Sequence, residues 1–285
     1  MNPESELFPP ELLQAASLCR PAPENGGMNF SAGRHRSPYR GDSAEFQDYR
    51  AYVPGDDLRR VDWNIFRRSR KLLLRQYRNF PQKKHRIILD GSASIRFRNC
   101  RAQTVWRLAA LLGGTLLCSG DGVTLSCADR IYPFAPGRPA LAGFISALLE
   151  EYRRPASAAP SFRFPSGCHN WLISDFMDPA GLAHLKKTFM TCRGFTPVRI
   201  FEQSELHPEW TGEIRLTDAE SRAEITVSPE PEQLKRYQKQ LKRFEKLLEI
   251  PARRAESRVL AFDAGLPVSE LICCFQQEFF PEVQK

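Results

Sequence analysis

The feature that most constrains this chain is a short apolar run that ends on a carboxylate. Arg86-Ile87-Ile88-Leu89-Asp90 is followed at once by Gly91-Ser92-Ala93-Ser94 and then by a segment with helical spacing. An apolar run without alternation, bounded by charges and a glycine, suits a parallel strand buried on both faces. Such a strand needs helices to cover it, and the following sequence supplies them. Between Asn99 and Cys118, the residues Val105, Leu108, Leu112 and Leu116 fall on one helical face, and Gly120 closes the segment. The alternation then continues. Residues 123–127, 130–134, 171–174, 198–201 and 258–262 read as strands, and 138–152, 179–192, 231–249 and 267–279 as helices. Residues 214–227 read as a hairpin or an extended edge segment. This order implies an α/β fold with a doubly wound, mainly parallel sheet.

Charge divides the chain before Arg86 from the chain after it. The net charge of +8 comes from 41 Lys and Arg against 33 Asp and Glu. Residues 31–101 carry 18 basic and 7 acidic side chains, a local +11, whereas residues 102–285 carry 22 of each sign. A protein that coats nucleic acid uniformly is excluded, because the surplus belongs to one segment. We therefore divide the chain into a mobile N-terminal tail over residues 1–30 with a short helix near 11–18, an arginine-rich module over 31–84 and an α/β domain over 85–285. Within the module, residues 49–53 and 71–77 read as short strands, and Pro54-Gly55 suits the centre of a type II turn.

In an open α/β sheet, ligands bind beyond the carboxyl ends of the strands. Asp90, Ser92 and Ser94 leave the first strand there, and Ser174-Asp175-Phe176 leaves a later one. Two carboxylates and two hydroxyls form a hard-oxygen set that suits Mg²⁺ or Mn²⁺. The alternative is local: Asp90 and Ser92 cap the next helix or hold the loop by hydrogen bonds.

Asp90-x-Ser92-x-Ser94 with a later Asp175 resembles the metal-ion-dependent adhesion site of von Willebrand factor A domains. The upstream signature resembles the bacterial domain-of-unknown-function family 58 (DUF58). It comprises Gly33-Arg34-His35-Arg36-Ser37, Gly41, Glu45-Phe46, Arg50-x-Tyr52-x-Pro54-Gly55-Asp56-Asp57-x-Arg59, Val61-Asp62-Trp63 and residues 68–70. The resemblance extends over about residues 30–280 and takes in Leu216-x-Asp218-x-Glu220 and the helix of Tyr237. It implies a von Willebrand factor A-like sheet behind the arginine-rich module. It further implies an adaptor that serves a MoxR-type AAA+ ATPase and is not a catalyst. A complete adhesion site also takes a threonine from the loop before the middle helix. Here that loop is Ala135-Pro136-Gly137-Arg138-Pro139-Ala140, without Thr or Ser, and Arg138 is a candidate to replace the metal as counter-charge.

The signature module has three readings. Arginines interleaved with Trp63, Phe66, Tyr77 and Phe80 over residues 59–86 suit phosphates and stacked bases, hence nucleic acid or another polyanion. Alternatively, Trp63 and Tyr52 form a small core while Asp56, Asp57 and Asp62 pair with nearby arginines. A third reading is a docking surface for an acidic protein patch. No catalytic apparatus is visible. His35, His85, His169, His184 and His207 have no metal-ligand spacing, and no phosphate-binding glycine loop occurs. Eight cysteines without a C-x-x-C pair, together with no secretory signal, give the expectation of a reduced, cytoplasmic protein without a membrane span.

Overall fold

The structure is a computed structural model that describes residues 6–18, 44–79, 82–156, 162–177, 194–254 and 257–279. The chain divides into two units, one formed by residues 33–82 and the other by residues 1–32 with 83–285.

The larger unit is built on a six-stranded sheet. Its strands are β3 (Lys84–Leu89), β4 (Gly122–Cys127), β5 (Arg130–Phe134), β6 (His169–Ser174), β7 (Phe195–Phe201) and β10 (Leu260–Asp263), in spatial order β10-β7-β6-β3-β4-β5. All neighbouring pairs are parallel except β4–β5, which form an antiparallel edge. The expected mixed α/β architecture with a mainly parallel central sheet is therefore what the chain forms. Alternation along the strands feeds two cores. Ile87, Leu89, Trp171, Ile173, Val198 and Ile200 face one, and Ile88, Leu172 and Phe195 face the other.

Helices pack in both cores. α4 (Asn99–Cys118), α5 (Ala140–Arg153) and α8 (Val268–Phe279) contribute Trp106, Leu111, Phe144, Leu148, Leu271 and Phe275 to the first. α7 (Pro231–Arg254) contributes Phe244 and Leu248 to the second. The end of α4 is a Schellman stop: the Gly120 N–H donates to Leu117 and the Asp121 N–H to Leu116, with Gly120 at φ +89°. The segment expected as a hairpin or edge is a separate antiparallel hairpin, β8 (Ile214–Thr217) with β9 (Glu224–Val227). The helix expected over 179–192 lies outside the described residues.

Residues 6–18 are not a tail. α1 (Pro10–Leu18) places Leu12 and Ala16 at 0% exposure beside Leu7 and Phe8 in the first core. Two glycines in α4, neutral by composition, are there for close approach. A Cβ on Gly114 would stand 2.8 Å from the Ala16 Cβ, and one on Gly113 would overlap the Phe144 ring. The glycines thus let α1 and α5 lie against α4 at short range.

The smaller unit pairs β1 (Ala44–Ala51) antiparallel with β2 (Leu73–Asn79), with a bulge between Phe46 and Asp48. The chain leaves β1 through the expected turn, in which Gly55 has φ +105° and the Asp56 N–H donates to the Val53 carbonyl at 3.0 Å. A 3-10 turn over Leu58–Arg60 and α2 (Trp63–Ser69) follow. Asp56 meets Arg50 with two hydrogen bonds of 2.8 and 2.5 Å, as expected for an Arg–Asp pair. Asp57 and Asp62 serve the backbone. Asp57 accepts from the Arg59 N–H at 3.0 Å, and Asp62 caps α2 through the Asn64 and Ile65 N–H groups while accepting from the Tyr49 hydroxyl. The small core also differs from expectation. Val61 and Leu74 are buried and bridge β to β, whereas Trp63 is 54% exposed and Tyr52 half-buried. Trp63 opens a helix whose cap aspartate faces inward, which turns the indole outward.

Gly113→Ala tests the packing of α4. Helix propensity favours alanine by about 1 kcal/mol, and the immobile Phe144 ring opposes it with an overpacking cost of about 1–3 kcal/mol. A net loss of up to about 2 kcal/mol is expected as a lower urea midpoint. A higher midpoint would contradict the contact with Phe144.

Candidate functional site

The first strand ends where the sheet changes direction. From β3 the chain crosses by α3 (Ala93–Phe97) and α4 to β4 on one side, while β6 lies on the other. Leu89 is in register with Ile173, and the Asp90 N–H extends the ladder to the Ile173 carbonyl at 3.1 Å. The strand order reverses between β3 and β6, and an open sheet of this kind has its crevice outside the carboxyl ends at that point. Asp90 and Asp175 both enter it, and both are nearly fully buried, at 4% and 3% exposure.

Hydrogen bonds fix each carboxylate. Asp90 Oδ1 accepts from the Ser92 N–H at 2.9 Å, and its Oδ2 accepts from the Ser174 hydroxyl at 2.5 Å. The Ser174 oxygen in turn accepts from the Phe176 N–H at 2.9 Å. Asp175 Oδ1 accepts from the Met177 N–H at 3.1 Å, and Oδ2 from Arg101 Nη1 at 3.2 Å. The turn that permits this has Phe176, a buried non-glycine residue, at φ +60°, a left-handed conformation that its surroundings must hold in place. The Ser92 and Ser94 hydroxyls lie 3.0 Å apart. The Ser94 N–H, at the start of α3, donates to Glu220 Oε1 at 2.9 Å. Glu220 sits at the tip of the β8–β9 hairpin, where Asp218 accepts from the Glu220 and Ser221 N–H groups.

Arg101 supplies the counter-charge. Its guanidinium, from the first turn of α4, contacts Asp175, Glu202 at 2.9 Å and Glu205 at 2.5 Å. Glu202 and Glu205 close a capping box on α6 (Gln203–Leu206), and Glu202 also meets Arg98 at 2.7 Å. Burial lowers the Arg101 pKa, but the charges of Glu205 and Asp175 outweigh it and raise the value. The junction of α3 and α4 is tied down by Arg96, which lies over the Trp106 ring at 4.7 Å and donates to the last carbonyls of α5 at Glu151 and Tyr152.

Electrostatics at Asp90 are unfavourable to its ionised form. Burial, followed by the charge of Asp175, pushes its pKa up to about 6 despite the bonds from Ser174 and Ser92. Burial also raises Asp175, against the opposing effects of the Met177 N–H, Arg101 and Ser94. Among the described residues, no group of three or more His, Cys, Asp or Glu side chains is placed to hold a metal. The oxygen set at this site includes two hydroxyls beside the carboxylates.

The family model "Protein of unknown function DUF58" matches residues 48–246, more than half of the chain and both units. The chain belongs to the DUF58 family. Among curated proteins, it is 25% identical over 215 residues to the uncharacterized proteins Rv1480 of Mycobacterium tuberculosis and Mb1516 of Mycobacterium bovis, covering 69% of this chain and 68% of theirs. Among solved structures, it matches the conserved hypothetical protein BatB of Bacteroides thetaiotaomicron at a TM-score of 0.38 and 14% identity, over 69% of this chain and 97% of that one. An aerotolerance-related membrane protein of Bacteroides fragilis matches at 0.35 and 15%, over 69% and 98%.

In this DUF58 protein, the crevice gathers Asp90, Ser92, Ser94 and Asp175, the four residues singled out as candidate ligands. The signature residues Arg50, Tyr52, Asp56, Asp57, Arg59, Asp62 and Trp63 belong to the other unit, and Gly33–Ser37 with His35 lie outside the described residues. Arg138 does not stand beside the aspartates: its Nη2 donates to the Ser17 carbonyl at 3.4 Å. The guanidinium at the site is that of Arg101, which reading the 135–140 loop alone could not find. Arg101, Glu202 and Glu205 carry no such signal in the sequence, whereas Ser174 and Glu220 do, as parts of Ser174-Asp175-Phe176 and Leu216-x-Asp218-x-Glu220.

The raised pKa of Asp90 gives a stability prediction. The folded protein holds this proton more tightly than the unfolded chain, whose Asp titrates near 3.9. Asp90 therefore contributes stability below about pH 4, and that contribution is lost as pH rises through about 6. Asp90→Asn keeps the acceptor for Ser92 and removes the charge. In EDTA-containing buffer, the variant is expected to exceed wild type by about 1–3 kcal/mol at pH 8 and to match it below pH 4. A gap independent of pH in urea melts would show that the charge of Asp90 is not the cause.

Proposed function

We propose that this protein is a non-catalytic adaptor whose α/β unit is a von Willebrand factor A-like, doubly wound domain. In this reading it binds a protein partner, a MoxR-type AAA+ ATPase, at the carboxyl end of the sheet. The observation that carries the reading is the convergence of Asp90, Ser92, Ser94, Asp175 and Glu220 from three separate loops in one network at the crevice. Its rim is accessible: Ser94 is half-buried, and Phe97, Arg98 and Glu220 are exposed. A buried network of charges with an exposed polar rim and one exposed aromatic is suited to recognition, in which Phe97 anchors and charge sets register.

The oxygen set fits a hard cation. Adjacent ligands on an octahedral Mg²⁺ with bonds near 2.1 Å lie about 3.0 Å apart, which is the separation of the Ser92 and Ser94 hydroxyls. A cation would also relieve the repulsion between Asp90 and Asp175. In this reading Asp90, Ser92 and Ser94 hold Mg²⁺ or Mn²⁺, and Asp175 keeps Arg101. The cation supplies a position that a partner's carboxylate completes.

The test is recovery of an AAA+ ATPase on the immobilised protein. Binding is expected to fall at least tenfold in Asp90→Ala, Asp175→Ala and Ser94→Ala, the last being a half-buried site whose loss spares the core. Unchanged recovery with all three would overturn the reading. Calorimetric titration with Mg²⁺ separates the cation from the docking role. Heat with wild type and none with Ser92→Ala is expected, and no heat with wild type would remove the cation while leaving the adaptor intact.

A second reading rests on the smaller unit. Trp63 is exposed, Arg70 lies 6.0 Å over the Phe66 ring, and Arg67 and Arg68 are exposed on the same short helix. That combination suits stacked bases and phosphates. It predicts a salt-dependent gel shift with single-stranded RNA, abolished by neutralising Arg67, Arg68 and Arg70. The absence of a shift at low salt would exclude it.

A further inference from the structure

Outside the crevice, the most strongly patterned surface is the outer face of α7. The helix buries Leu248 and half-buries Leu234, Tyr237, Leu241 and Phe244. At 100° per residue, Lys235, Arg236, Lys239, Lys242, Arg243 and Lys246 all project from the opposite side. All six are exposed. They have no ion-pair partner among the described residues: Glu232 stands exposed at the start of the same face, and the other two acidic groups of the helix are committed elsewhere. Glu245 meets the buried Arg199 at 2.8 Å, and Glu249 meets Arg253 at 2.9 Å. The charge neutrality of residues 102–285 thus conceals a segregated cationic ridge that local pairing does not explain.

We propose that this ridge is a binding face for an anionic membrane surface. Three features favour a bilayer over other polyanions. Four of the six cations are lysines, compact point charges suited to a diffuse layer of headgroups, whereas planar bidentate recognition of a single phosphate or carboxylate favours arginine. No aromatic side chain lies on the outer face, since Tyr237 and Phe244 point inward, so the stacking platform of a single-strand binder is missing from α7. Leu247 and Ile250 are 40% and 47% exposed at the end of the ridge and on its side of the helix, where they reach the acyl boundary once the lysines meet headgroups. The apolar face of α7 is occupied by the protein core, so attachment is peripheral, electrostatic and reversible. No helix among the described residues is long and apolar enough to cross a membrane, and this mode of attachment requires none.

Co-sedimentation of the full chain with vesicles tests the proposal, comparing phosphatidylcholine alone with phosphatidylcholine containing 30 mol % phosphatidylglycerol. Binding only to the anionic vesicles, weakened by salt, is expected. Each basic residue near the surface strengthens attachment about fivefold, so Lys239→Gln, Lys242→Gln and Lys246→Gln combined should weaken it roughly 100-fold. These side chains are exposed, so unchanged circular dichroism will confirm that the variant is folded. Neutralising Arg67, Arg68 and Arg70 in the smaller unit should leave vesicle binding intact. The proposal is overturned by absent vesicle binding, by equal binding of the α7 variant, or by an α7-dependent shift of single-stranded RNA without vesicle binding.

Discussion

Two carboxylates at adjacent strand ends, out of water and on the same side of a sheet, set the terms for everything at the carboxyl end of this fold. Leaving Asp175 buried without a partner would cost several kcal/mol, and Arg101 supplies that partner from α4. The same guanidinium also holds Glu202 and Glu205 from the chain after β7. One side chain therefore ties three chain segments that arrive from different parts of the sequence. Among the described residues, Asp90 has no such partner. It is held by a hydroxyl and an N–H, and the charge of its neighbour keeps it reluctant to ionise. The asymmetry matters: the Asp175 side is closed by the protein itself, whereas the Asp90, Ser92 and Ser94 side is left with oxygen atoms and a surplus of negative potential. A binding site has to be unfinished somewhere, and the crevice leaves its serine side without a counter-charge.

The fold maintains that incomplete state by stiffening its surroundings. Phe176 adopts a left-handed conformation while buried, which persists only if packing over-determines it. Arg96 anchors the α3–α4 corner to the end of α5, so that the loop carrying both serines is tethered at its far side as well. The close contacts of Gly113 and Gly114 hold α4 rigidly between α5 and α1. Because α4 carries Arg101, packing in the first core and geometry in the crevice are one mechanical system. The segment over residues 6–18 is part of that system.

Local signals made the sheet legible in the sequence. The run into Asp90, the period of α4 and the glycine that stops it are each determined by neighbours within a few residues, and all three are found where the pattern put them. The convergence of Asp90, Ser92, Ser94 and Asp175 was legible for the same reason: strand ends carry their chemistry with them. Counter-charge was not. Arg101 and Asp175 are 74 positions apart, and nothing in the α4 pattern distinguishes this arginine from Arg98 or Arg107, so the nearest loop arginine, Arg138, drew the role that Arg101 performs. The N-terminal helix was legible near 11–18, but its burial was not: prolines and short length resemble a tail, while its complement, the pair of glycines in α4, reads as a flaw in a helix unless the partner is known. Trp63 was assigned inward by its type. The cap formed by Asp62 decides its direction instead.

Net charge was the least informative quantity until it was resolved onto elements. In the smaller unit, Arg50 is matched by Asp56, while Arg67, Arg68 and Arg70 remain on the exposed side of one short helix. In the larger unit, a balanced total divides into a cationic ridge on α7 and an acidic crevice at the carboxyl end. These surfaces call for different partners, since the ridge attracts anions directly whereas the crevice carries carboxylates of its own. A protein that meets a membrane through α7 and a second protein through the crevice would hold its partner near the bilayer. That arrangement follows from segregation of charge between the outer face of one helix and the carboxyl ends of the strands.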